Sequence, residues 1–173
     1  MGKDGGKRVI GKKTPEVLPV VLLPAGNLLS TAFLPIVFDA NVFFFSLLGA
    51  IAEEFFFRGL LLKTILLPRI KPCLAILITA ILFSAMHLFN LQNGTALATV
   101  LLQIFCAFCF SVWAGSVVWQ KGSIRLPLLA HLLLNLTAVT EGILLSTGAS
   151  ILVLADGLLL IKENISKNKT IIL

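Results

Sequence analysis

The 173 residues are 58% hydrophobic and 13% charged, with a mean hydropathy of +1.02, a balance that excludes a soluble domain and points to an integral membrane protein. The net charge of +6 is carried by Lys and Arg at the ends of apolar runs, where they meet headgroups and cytoplasm, so no nucleic-acid partner is expected. The three cysteines, Cys73, Cys106 and Cys109, sit in or beside apolar runs as small hydrophobes and carry no redox message.

In chain order, residues 1–16 hold Lys3, Lys7, Arg8, Lys12 and Lys13 among glycines and read as a disordered basic arm. Gly2 does not open a myristoylation signal, because position 6 is Gly6 and not Ser or Thr. The apolar run over 17–38 is too long for a signal-peptide core and lacks a small-residue cleavage site, so it predicts a first span, bent at Pro24. A second span over 42–67 ends in the basic turn Pro68-Arg69-Ile70-Lys71-Pro72, and a third covers 73–89. A fourth, 96–119, ends on the interfacial aromatic Trp119. Two shorter spans, 126–140 and 143–161, flank Glu141-Gly142 and precede a polar tail, 162–173. The expectation is an all-α polytopic transmembrane bundle over 17–161, with about six spans.

The loops orient it. With the arm in the cytoplasm, Arg69, Lys71, Lys121, Arg125, Lys162, Lys167 and Lys169 all fall on that side, while the loops around Asp39, Asn93 and Glu141 contain no Lys or Arg. Both termini are therefore expected in the cytoplasm.

The second span contains Glu53-Glu54-Phe55-Phe56-Phe57-Arg58, three ionisable groups in an apolar run. A charge at the bilayer centre costs roughly 2.5–3.5 kcal/mol on insertion scales, so such residues face a polar interior and serve a purpose. Glu54 and Arg58 stand at i,i+4, about 40° apart, and can pair; Glu53 lies about 140° from Arg58 and must find a partner on another helix or take up a proton. Both histidines of the chain, His87 and His131, also lie inside expected spans. Counted along the helices from the cytoplasmic ends, Glu53 and His87 are each about 20 Å deep on adjacent antiparallel helices and so within reach of each other, while His131 and Asn135, at about 10 and 15 Å, share a site with them only through tilt, a shifted boundary or a cavity open toward the cytoplasm. Asn135 shares a helix face with His131, and Phe83 lies one turn from His87, where it can fix the ring by packing.

The pieces Glu-Glu-x-x-x-Arg at 53–58, Phe-x-x-x-His at 83–87 and His-x-x-x-Asn at 131–135, in that order on successive apolar segments, resemble the CPBP family of CAAX-processing and bacteriocin-processing intramembrane proteases, also called Abi. The resemblance covers about residues 42–140. It implies hydrolysis of a peptide bond within the membrane, with a membrane-associated peptide or protein as substrate and the lipid bilayer as surroundings, in the plasma membrane if the source is prokaryotic. Glu53 would activate water, His87 would hold or polarise it, and His131 and Asn135 would stabilise the oxyanion. Glu54, Arg58 and Phe83 would support these from the adjoining turns. The alternative chemistry uses zinc held by Glu53, His87 and His131; as there is no His-Glu-x-x-His, three helices would have to supply the ligands.

Plainer roles compete. Glu54 with Arg58 can be a structural clamp, and a membrane histidine can serve only as an interhelical hydrogen-bond donor. Cys106 and Cys109 read as packing, and Asp156 as a hydrated group near the cytoplasmic face. Phe43–Phe45 and Phe55–Phe57 read as lipid-facing and packing surface. Among the Asn-x-Ser/Thr tripeptides, only that at Asn93 falls in an outside loop. At the level of function the alternative to a protease is a catalytically silent binding or self-immunity protein on the same fold. A transporter lacks support without an internal repeat or broken-helix pairs.

Overall fold

Apolar runs separated by Pro, Gly and charged turns become helices, and the computed structural model of the chain describes them over residues 40–137 and 143–170. The basic arm, the first expected span at 17–38, the loop at Glu141-Gly142 and the end of the tail lie outside the described residues. Helix α1, Ala40–Glu54, continues into a wider helical segment, Phe55–Leu66, closed by the i−5 bond from Leu67 N–H to Leu62 O at 2.9 Å. Helix α2, Pro72–Ala85, opens with Pro72 in its first turn, where the missing N–H costs nothing, and tightens into a 3₁₀ segment, Met86–Leu91. Helix α3, Leu97–Lys121, ends where Gly122 takes φ 67°, a left-handed conformation that a Cβ disfavours, and returns its N–H to Val118 O at 2.8 Å. Helices α4, Arg125–Thr137, and α5, Ile143–Thr170, complete the set. No strand occurs among the described residues.

Helix α3 is the hub: it packs along α2 on one side and α5 on the other, while α1 packs against α4. Trp113, fully buried, anchors a core with Phe57, Phe83, Phe110, Val153 and Leu160. A second cluster joins Leu62, Ile76, Val112 and Val118. Phe55 and Phe56 are exposed while Phe57 turns inward, so the triple-Phe patch divides between surface and core. Asp156 was expected in a hydrated position; at 7% exposure it is buried instead, on a helix that packs along α3.

Among the described residues, two helices, Pro72–Leu91 and Leu97–Lys121, are long and apolar enough to cross a membrane. Helix α4, with 13 residues, spans only about 20 Å. Helix α5 runs past 161 into the polar tail, where Lys167 and Glu163 pair at 2.9 Å across one turn. Large apolar side chains such as Phe44, Phe45, Leu48, Leu97 and Leu158 are more than half exposed, a surface suited to lipid. Lys63 Nζ, in the last turn of the wide segment, donates to Gly122 O at 2.6 Å and brings that end together with the turn before α4. Arg69, Lys71, Lys121 and Arg125 thus lie at one end of the bundle.

Candidate active site

The site forms where α1 gives way to the wider segment. Glu54, the last residue of α1, is 0% exposed and Arg58 is 1% exposed; Arg58 Nη1 donates to Glu54 Oε1 at 2.8 Å, the i,i+4 pair expected from the spacing. A buried ion pair is stable only when further contacts satisfy it, and here they come from α2, α3 and α4. The Arg58 guanidinium lies over the Phe83 ring, 4.2 Å from its centroid, and 5.4 Å from that of Phe110. From α4, His131 Nδ1 stands 2.9 Å from Glu54 Oε1. A carboxylate oxygen accepts, so Nδ1 is the protonated nitrogen and Nε2 is turned away from Glu54.

Nε2 turns toward Glu53, whose Oε2 lies 3.7 Å away. Glu53 is therefore the carboxylate without a partner on its own helix, and it faces another helix as expected. It is also the open one, with its side chain 48% exposed against 0% for Glu54. His131 thus stands between the two glutamates, tied to the closed one and facing the open one.

His87 lies in the 3₁₀ segment that follows α2 and shares no hydrogen bond or ion pair with Glu53. Its Nδ1 is buried without a hydrogen-bond partner among the described residues, and Phe83 holds the ring edge-on at 6.0 Å between centroids. Asn135 donates Nδ2 to Ser46 O on α1 at 3.3 Å, tying α4 to the helix of the glutamates. His131, counted at half the depth of Glu53, reaches it nonetheless, since counting along an axis is blind to the offset between helices.

Among the described residues no group of three His, Cys, Asp or Glu side chains is gathered as metal ligands. Glu54 Oε1 is already engaged by Arg58 and His131.

Two participants escape a reading of the sequence. Phe110 of α3 lies 5.4 Å from the His131 ring, and Ser46 supplies the carbonyl for Asn135. In the run that also holds Phe105 and Phe108, nothing local distinguishes Phe110.

A family model described as Type II CAAX prenyl endopeptidase Rce1-like matches residues 35–137, well over half of the chain, and takes in Glu53, Glu54, Arg58, Phe83, His87, His131 and Asn135. Comparison with curated proteins and with solved structures returned no match. With the three motif pieces converging around one buried ion pair, and the family model covering all of them, the chain belongs to the Rce1-like family of type II CAAX prenyl endopeptidases.

Proposed function

We propose that the chain is an integral, multi-pass intramembrane endopeptidase that hydrolyses a peptide bond of a membrane-associated peptide or protein. The family is one of CAAX prenyl endopeptidases, so a prenylated carboxyl-terminal segment is the first substrate class to offer. The observation that carries the proposal is the division of labour between adjacent glutamates: Glu54 is sealed and held through Oε1 by Arg58 and His131, whereas Glu53 is open and faces His131 Nε2 at 3.7 Å.

In this reading Glu53 takes a proton from water while the water oxygen adds to the scissile carbonyl carbon. His87 steadies the water. The oxyanion is met by Asn135, which spends one amide proton on Ser46 and keeps the other, and by His131. Nδ1 of His131 is committed to Glu54, so the ring presents Nε2 to the oxyanion. Glu53 then passes its proton to the leaving nitrogen, and the C–N bond breaks to give a free carboxyl and a free amine.

The test is turnover of an internally quenched, prenylated CAAX peptide by protein in proteoliposomes. Glu53→Gln is expected to lower kcat by about 10² or more while the protein still inserts. Turnover at the wild-type rate in that variant would remove Glu53 from the mechanism. Wild-type protein that binds the peptide without cleaving it would favour the silent binding role. A strong chelator is expected to leave turnover unchanged; loss that zinc restores would make Glu53, His87 and His131 metal ligands after all.

A further inference from the structure

Arg58 Nη1 is bonded to Glu54, yet Nη2, equally buried, has no hydrogen-bond partner among the described residues. A desolvated guanidinium with an idle donor needs another source of negative potential, and the faces of aromatic rings supply one. Two rings are in place, Phe83 at 4.2 Å and Phe110 at 5.4 Å from Cζ. The same two rings flank the His131 imidazole, at 5.7 Å and 5.4 Å between centroids. Phe83 belongs to the Phe-x-x-x-His piece. Phe110 belongs to no motif, comes from α3, is buried, and is backed by Trp113 at 5.8 Å.

We propose that Phe110 is a positioning residue for peptide hydrolysis: with Phe83 it closes a dry aromatic slot that keeps the Arg58 guanidinium and the His131 imidazole in register on Glu54. Both groups meet at Glu54 Oε1, so a shift of either moves the other. An aliphatic side chain of similar volume fills the space but offers no π-face. The guanidinium then seeks water or swings toward another acceptor, Glu54 follows it, and the Nε2 edge of His131 loses its aim at Glu53. The inference rests on the hydrolase reading for its consequence and on the slot geometry alone for its cause.

Two measurements separate these. Phe110→Met, and phenylalanine at 110 carrying increasing fluorine substitution, are compared with wild type for folded fraction, kcat and KM. Fluorination keeps the ring's shape while draining its face of negative potential, so it tests the slot even where Phe110→Met folds poorly. The expected result is a kcat falling stepwise with fluorination to roughly 10-fold below wild type, with KM and folded fraction unchanged. A kcat indifferent to fluorination would overturn the proposal. The second measurement needs no substrate: in a His87→Gln background His131 is the sole histidine, and its carbethoxylation by diethyl pyrocarbonate is followed by absorbance. Phe110→Met and full fluorination are expected to accelerate it several-fold as water enters the slot. Acceleration here, together with no cleavage by the protein that keeps His87, would sustain the slot and remove the hydrolase reading. An unchanged rate would remove the slot under either reading.

Discussion

Arg58 and Glu54 show why a buried charge is a matter of partners. Arg58→Ala leaves Glu54 in an apolar interior with His131 as its remaining partner, and breaking a buried pair from one side costs roughly 3–5 kcal/mol. Folded yield and activity are both expected to fall. The charge-neutral double change, Glu54→Gln with Arg58→Gln, is expected to recover part of the yield, because it removes the stranded charge together with the pair. The activity should not return with it, since His131 loses the carboxylate that fixes its tautomer. Detergent-resistant folded fraction and turnover, measured on both variants, decide the matter. A double variant no better folded than Arg58→Ala would show that the pair is not what holds Arg58 in place.

Among the helices, α3 and α5 approach closely at Trp113 and Gly157. A Cβ at position 157 would lie 2.8 Å from Trp113 Cα and 3.0 Å from its N, backbone atoms that cannot move aside without the helix. Gly157→Ala is therefore expected to push α5 off α3 and destabilise by about 1–3 kcal/mol. At Gly115 the added methyl would meet Ile76 Cγ2 at 3.2 Å and Cγ1 at 3.3 Å, side-chain atoms with room to give by tenths of an ångström. Gly115→Ala should be the milder change. Thermal denaturation in detergent ranks them, and the reverse order would mean that the tight α3–α5 contact is not the one that limits stability. Trp113 also backs Phe110, so Gly157→Ala is expected to lower kcat as well, through packing rather than chemistry.

For the whole molecule, charge provides an orientation. Arg69, Lys71, Lys121 and Arg125 gather at the end that the Lys63–Gly122 contact draws together, and we propose that this end faces the cytoplasm. Cys73 follows directly on Lys71-Pro72 and is the exposed cysteine, whereas Cys109 is buried and Cys106 half-buried. A membrane-impermeant maleimide added to intact cells is expected to leave Cys73 unlabelled and to label it after permeabilisation, with Cys73→Ser as control. Labelling of intact cells would invert the topology and place the basic end outside.

Much of this architecture was legible in the chain because hydropathy and helical period are local. The apolar runs over 42–67, 73–89 and 96–119 have helical counterparts with boundaries within a few residues, and the i,i+4 spacing of Glu54 and Arg58 was enough to pair them. The order of the three motif pieces likewise pointed to the family that the match over 35–137 bears out. Where hydrogen-bond register changes along a helix was not legible, since no residue type marks it: the wide turn after Glu54 and the tight turn at Met86 decide where Phe57, Arg58 and His87 point. Nor could spacing tell which glutamate His131 would take, or that Phe110 and Ser46 would join the site, because those contacts depend on the offsets between α1, α3 and α4. Local patterns determine which helices form and which faces are apolar; how packed helices slide and turn against one another is a balance over every side chain at their interfaces, and only the tertiary structure resolves it.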